Sequence, residues 1–374
     1  MEEVFSIAPQ PSTELGRYRV LSRNAGIRVS PLVLGAMSVG QAWEDQMGSM
    51  DKEQSFKLLD AFYEAGGNFI DTANAYQNQE SEEWIGDWMA SRKNRDQMVI
   101  ATKYTSDYRA HAIGKNRSAN FSGNHKRCLH VSIRDSLCKL KTDWIDILYV
   151  HYWDHLSSIE EVMDSLHILV QQGKVLYLGI SDAPAWVVSA ANTYANAHGK
   201  TPFCVYQGRW NVMVRDFERE IIPMAKKFGM ALVPWDVLGG GRFLTAEALE
   251  EKKKQGGKMR TFGKSSEQTE NELKISEALD KVARQHGQSI AAIALAYVRS
   301  KTSRVYPLIG GRNTRHLEQN IAALSIKLTK DEVEFLEEAL PFEAGFPHNA
   351  IGPDPSITGE IPFFTACSAQ LALD

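Results

Sequence analysis

The chain has 374 residues, 43% of them hydrophobic and 24% charged, with a formal net charge of -4. That is ample apolar side chain for one sizeable core, and the mild acidity gives no reason to expect nucleic acid or an anionic membrane as partner. The four cysteines, Cys128, Cys138, Cys204 and Cys367, show no C-x-x-C pair, so no disulfide framework or metal site is indicated and a reduced, cytoplasmic setting is expected.

The first residues are acidic and interrupted by Pro9 and Pro11, unlike a signal peptide, and read as a short polar arm. A β-hairpin is expected around Tyr18 to Val29. Eight β-type runs then follow: Leu32 to Met37, Asn68 to Thr72, Met98 to Tyr104, Ile145 to His151, Leu176 to Ser181, Phe203 to Gln207, Ala231 to Trp235 and Val305 to Ile309. Amphipathic helices separate them. Asp51 can cap a helix that stops at Gly66-Gly67, and Ser158 with Glu161 fits a capping box ahead of the apolar face Val162, Met163, Leu166 and Leu169. The longest apolar stretch, Ile290 to Val298, is too short to span a bilayer.

Strand and helix in alternation predict an α/β fold with a parallel sheet. Eight units favour a closed (β/α)8 TIM barrel over an open sheet. One domain is expected, with the barrel over about residues 15–341 and a tail over 342–374. Two insertions, Ser106 to Asn124 and Gly239 to Asn271, leave the C-terminal ends of strands, where a barrel builds its site. The second holds the basic run EEKKKQGGKMRTFGK, as easily a solvated charge run as a lid.

Three strands deliver ionisable groups to that rim. Asp71 closes the second strand and Tyr76 follows five positions on; Lys103 lies near the end of the third and His151 ends the fourth. Taken singly, each has an ordinary alternative as a cap, a packing ring or a core histidine. Lys103 is the hardest to dismiss, because a buried ammonium needs a partner, and Asp71 is the natural one.

From about Leu15 to Pro341 the sequence resembles the aldo-keto reductases, most closely their fungal aryl-alcohol dehydrogenase and norsolorinic acid reductase-like branch. The resemblance implies that Asp71, Tyr76, Lys103 and His151 form a catalytic tetrad that reduces a carbonyl, with Tyr76 as general acid, Lys103 lowering its pKa, Asp71 anchoring Lys103 and His151 orienting the carbonyl. Charge building on the carbonyl oxygen calls for such donors.

No G-x-G-x-x-G follows a strand, so a Rossmann site is not expected, and the Y-x-x-x-K at Tyr297 to Lys301 lacks a glycine-rich partner and reads as chance. The resemblance implies NADP(H) instead. It places Ser181, Asp182 and Gln207 at the nicotinamide amide, with Trp235 stacking, and Asp236, Val237, Leu238 and Gly240 in a pyrophosphate loop, with Met37, Asp71 and Arg242 also expected to bind the cofactor. Asp182 replaces the usual Asn, so it accepts where Asn donates. Gly310, Gly311, Arg312, His316, Gln319 and Asn320 fall at the adenosine end, with Arg312 favouring a 2′-phosphate. The substrate is expected against Trp43, Tyr76, His151 and Trp153, with Phe121 and the tail's Phe346, Phe363 and Phe364 available to hold a flat aryl carbonyl. The alternatives are a Schiff-base aldolase using Lys103, a cofactor-binding regulatory protein like the potassium-channel β-subunits, and a reductase of a polyketide-type ketone. Oligomeric state is left open.

Overall fold

In the computed structural model, residues 6–47, 50–254, 267–352 and 354–372 are described. The strands are β1 (Arg19–Ser22), β2 (Ala25–Val29), β3 (Val33–Gly35), β4 (Phe69–Asp71), β5 (Val99–Tyr104), β6 (Ile145–Val150), β7 (Val175–Ser181), β8 (Phe203–Arg209), β9 (Ala231–Trp235) and β10 (Leu308–Ile309). β1 and β2 form the expected antiparallel hairpin. The other eight make one parallel sheet in the order β10-β3-β4-β5-β6-β7-β8-β9.

That sheet closes on itself. Leu232 of β9 bridges Val305 just ahead of β10, with Leu232 N–H donating to Arg304 O at 2.9 Å and Tyr306 N–H to Leu232 O at 2.8 Å. Closure removes the exposed edges an open sheet would leave. The fold is a (β/α)8 barrel.

Alternation along the strands decides which side chains enter it. Val99 and Ala101 of β5, Ile147 and Tyr149 of β6, and Phe69 of β4 pack together inside the barrel, with Leu21, Ala25 and Val29 of the hairpin covering its N-terminal end. Their neighbours Ile70, Ile100, Leu148 and Val150 face the surrounding helices. The same parity carries Asp71, Lys103 and His151 inward, one step beyond Phe69, Ala101 and Tyr149. A strand read one residue out of register would have sent all three to the helix side.

The helices begin and end largely where their residue types predict. Asp51 caps Lys52–Glu64 by accepting from Gln54 N–H at 2.7 Å, and Gly66 follows its end at φ 93°. Ser158 caps Ile159–Gln171, accepting from Glu161 N–H at 3.2 Å, but the reciprocal half of the expected capping box is absent. The Glu161 carboxylate accepts instead from Lys126 N–H at 3.0 Å, at the start of the neighbouring helix Lys126–Leu140. An inter-helix contact has displaced a local one.

The insertion after β5 is folded. Asn124 donates to Thr105 Oγ1 at 2.9 Å and Tyr152 O at 3.0 Å, and accepts from Asp154 N–H at 2.8 Å, tying its end to the rim beyond β6. Of the later insertion, Gly239–Gly241 forms a single 3-10 turn and Ala246–Lys254 a helix, while residues 255–266, which carry most of the basic run, lie outside the described residues. The tail docks through Arg219, which donates to Ala344 O at 2.6 Å and packs on Phe342. Among the described residues no helix is long and apolar enough to cross a membrane.

Candidate active site

The four residues expected at the rim meet there. Lys103, whose side chain is fully buried, ion-pairs with Asp71 Oδ1, donates to Thr72 O at 2.8 Å and lies 3.4 Å from Tyr76 Oη. Its ammonium therefore stands between a carboxylate and a phenol. Asp71 Oδ2 takes a second donor, Gln207 Nε2, at 2.9 Å from across the barrel. The ring of Tyr76 meets His151 edge-on at 5.7 Å and Trp43 edge-on at 6.2 Å. His151 Nδ1 is 3.2 Å from Ser106 Oγ, which fixes one ring nitrogen and leaves Nε2 for another partner.

Electrostatics sharpen the roles these groups can take. Burial raises the Tyr76 pKa above its ordinary value, while Lys103 pulls it back down and Asp71 and Asp182 push it up. The sequence led us to expect the ammonium to dominate and lower this pKa; in the structure desolvation outweighs it. Tyr76 is thus held as a protonated phenol at neutral pH, the form that can give a proton. For Lys103 the balance runs the other way: burial is the largest effect and favours the free amine, but Asp71 and Tyr76 together exceed it and the ammonium is stabilised. Burial, with Lys103 beside it, brings the His151 pKa down to about 3, so the imidazole is neutral.

Behind this group lies a polar layer that sequence reasoning did not find. Thr102, facing outward from β5, donates to Glu82 at 2.6 Å, and Glu82 is fully buried and paired with Lys139 at 2.7 Å. Lys139 reaches Gln79 Oε1 at 3.1 Å. These partners come from two different helices and a loop, so no local spacing announces them.

At the expected nicotinamide end, Ser181 is buried and Asp182 sits exposed at the mouth with φ 41°, accepting from Trp235 Nε1 at 3.1 Å. Protein around the carboxyl raises its pKa to about 6, against opposing contributions from Trp235, Lys103 and Ser181. Trp235 is only partly buried, which leaves ring surface for stacking. Met37 presents its carbonyl, but to Gln77 Nε2, at 2.9 Å.

In the next loop Gly239 and Gly240 take φ 59° and 66°, and Asp236 is held by Arg209 at 2.6 Å. Val237 is buried and Leu238 packs against the core. Arg242, expected to bind the cofactor, is buried with its guanidinium on Glu272, at 2.6 and 2.8 Å. Its charge is engaged within the protein.

Beyond β10, a side chain at Gly310 would meet no atom within 4 Å, Arg312, His316 and Gln319 are exposed, and Asn320 is 3% exposed with no side-chain hydrogen bond among the described residues. The open Gly310, an exposed guanidinium just ahead of the helix Thr314–Ala322 and an unpartnered amide in that helix's last turn fit a nucleotide phosphate and base.

On the acceptor side the placements divide. Trp43 and Tyr76 lie together, whereas Trp153 is 8% exposed and belongs to the packed core. Phe121 packs edge-on against Tyr108. The tail rings Phe346, Phe363 and Phe364 are 84%, 71% and 65% exposed, so they form no packed wall. Tyr297 and Lys301 both bind Glu337, a structural use that accounts for the Y-x-x-x-K spacing. Among the described residues no cluster of metal-ligating side chains occurs.

The barrel carries at its rim a buried lysine between a carboxylate and a tyrosine, and the aldo/keto reductase family model matches residues 31–341; the chain belongs to that family of oxidoreductases. It reduces carbonyl compounds and uses a nicotinamide cofactor. It is 67% identical over 375 residues to "Putative aryl-alcohol dehydrogenase AAD14" of Saccharomyces cerevisiae, covering 100% of both chains. It is 51% identical to "Aryl-alcohol dehydrogenase [NADP(+)]" of Phanerodontia chrysosporium, covering 93% of this chain and 92% of that one. Against the norsolorinic acid reductase of Aspergillus flavus the identity is 49%, over 94% and 88%.

Proposed function

We propose that the protein reduces an aryl aldehyde or ketone to the alcohol with NADPH, Tyr76 giving the proton. The observation that carries this reading is the ammonium of Lys103 held between Asp71, Thr72 O and Tyr76 Oη at the barrel mouth.

The cofactor, when bound, supplies the hydride. A carbonyl oxygen lying against Tyr76 Oη and His151 Nε2 meets two hydrogen-bond donors aimed where negative charge grows. Burial keeps Tyr76 protonated until that charge appears, and Lys103 then stabilises the phenolate left behind. Asp71 keeps the lysine charged and in place. The neutral imidazole of His151, tied by Nδ1 to Ser106 when that nitrogen accepts, donates from Nε2 without adding a cation. A raised lysine pKa is the reverse of what a Schiff-base nucleophile needs, and this weighs against aldolase chemistry.

NADPH is favoured over NADH by the exposed Arg312 beside Gly310 and Gly311, and the name of the Phanerodontia chrysosporium relative agrees. Ser181, Asp182, Gln207 and Trp235 would take the nicotinamide end. Because Gln207 already donates to Asp71, its carbonyl is the atom it offers a carboxamide. Asp182, with its pKa near 6, offers mainly an acceptor at neutral pH. The aryl preference rests on Trp43 beside Tyr76 and on the names of the relatives. Four free cysteines suit a reducing cytoplasm.

The test is NADPH consumption over aryl aldehydes, aliphatic aldehydes and a polyketide-type ketone, with Tyr76→Phe beside the wild type. Loss of turnover with cofactor binding retained is the expected result. Near-wild-type turnover by Tyr76→Phe would overturn the assignment.

A further inference from the structure

The three residues after Tyr76 adopt a conformation that none of them prefers. Gln77, Asn78 and Gln79 have φ 52°, 51° and 88°, consecutive left-handed backbone without a glycine. Such positions cost of order 1 kcal/mol or more each and persist only where their surroundings dictate them. The surroundings here are a second loop, which leaves the end of β3.

Four hydrogen-bonding groups clasp that loop. Gln77, with no exposed surface, accepts from Trp43 N–H at 2.8 Å and donates to Met37 O at 2.9 Å. Asn78 Oδ1 accepts from the Trp43 indole Nε1–H at 3.1 Å. Glu80 Oε2 accepts from Gln41 N–H at 2.6 Å and Ala42 N–H at 3.1 Å. The fit is tight: a Cβ at Gly40, itself at φ 136°, would lie 2.5 Å from the Gln77 side chain and 2.9 Å from Glu80. Trp43 is therefore pinned at both its main chain and its ring, and that ring stands edge-on to Tyr76.

We infer that Gln77 and Asn78 are positioning residues that set acceptor specificity, by holding Trp43 as a fixed aromatic wall beside the proton donor. The clasp explains why strained backbone directly follows Tyr76: only left-handed residues turn the Gln77 and Asn78 side chains back onto a loop from another strand. The chemical class it selects is a flat aryl carbonyl, which gains from a rigid ring face that a small aliphatic aldehyde cannot use. This inference rests on the reading of Tyr76 and Trp43 given above.

Asn78→Gly removes the indole's acceptor while tolerating the left-handed backbone, and Asn78→Asp keeps both. The first readout is hydrogen exchange of the Trp43 indole N–H by NMR, its signal assigned by its absence in Trp43→Phe. Asn78→Gly is expected to speed that exchange roughly tenfold, the worth of one hydrogen bond, and Asn78→Asp to restore it. The second is the ratio of kcat/KM for benzaldehyde over propanal with NADPH, expected to fall roughly threefold to tenfold in Asn78→Gly, chiefly through KM, and to recover in Asn78→Asp.

In a Trp43→Phe background, which has no indole N–H, adding Asn78→Gly is expected to leave the ratio unaltered. An equal fall in both backgrounds, or no fall in either, overturns the inference, as does unchanged indole exchange. If the wild type consumes NADPH with neither aldehyde, the reductase reading and the specificity role fail together, and the exchange result still decides whether the clasp holds the ring.

Discussion

Replacing Lys103 with methionine separates the structural and chemical uses of the buried ion pair. The substitution keeps volume but strands the Asp71 carboxylate, 2% exposed, with Gln207 as its remaining side-chain donor. Breaking a buried pair by removing one partner costs about 3–5 kcal/mol. The chemical loss has a different origin. At 3.4 Å and an effective dielectric near 20, Lys103 favours the Tyr76 phenolate by about 5 kcal/mol, roughly four-thousandfold in proton affinity. Without it the phenol becomes a far weaker acid, and kcat/KM for an aldehyde should fall by about 10²–10⁴.

Asp71→Asn added to Lys103→Met removes the stranded charge. The double variant should regain most of the lost stability and none of the activity. Urea unfolding followed by circular dichroism measures the first, and NADPH consumption the second. Activity recovering along with stability would refute the argument, because the lysine would then matter only as a prop. Lys103→Met retaining activity within tenfold would refute it as well.

His151 has a folded pKa near 3 against 6.5 in the unfolded chain, so below pH 6.5 the unfolded state takes up a proton that the folded site refuses. Its contribution is present above pH 6.5 and is lost as the pH falls toward 3; allowing for its partial opening to the rim, about 1–2 kcal/mol should be gone by pH 4.5, and His151→Asn should flatten that slope in urea titrations. Arg312→Ala should weaken NADPH about tenfold and NADH little, and equal effects in fluorescence titrations would remove the case for a 2′-phosphate contact. Gly86→Ala should cost about 2–3 kcal/mol or more in denaturant unfolding, since its Cβ would lie 2.1 Å from Lys139 O and 2.9 Å from the Leu140 backbone, neither of which is a side chain able to swing aside.

Strand periodicity and end signals carried most of the fold into the sequence. Runs such as Ile145 to His151 are apolar on both faces because a parallel barrel strand is buried on both, and Gly66 and Gly173 mark helix ends by left-handed turns. Rim residues were found for the same reason: they sit at strand ends, where parity dictates direction. What escaped is contact between segments far apart in the chain. Glu161 caps across to Lys126 rather than back to Ser158, Glu82 pairs with Lys139, and Arg242 turns to Glu272 instead of the cofactor site the resemblance implied. Trp153, expected among the aromatics of the substrate pocket, packs instead into the core just beyond β6. Only Asn78 gave a hint of the clasp, as a residue type that tolerates left-handed backbone.

The burial of Lys103 also gives the protein an internal clock. Amine-acylating reagents reach exposed lysines such as Lys330 at once, but Lys103, 1% exposed and charged, can react only after the barrel mouth opens, which frees it from Asp71 and lets its pKa return toward that of an ordinary lysine. Its labelling rate would count openings of the barrel mouth and ignore surface encounters. Read by peptide mass, that single residue would report how often the barrel rim opens.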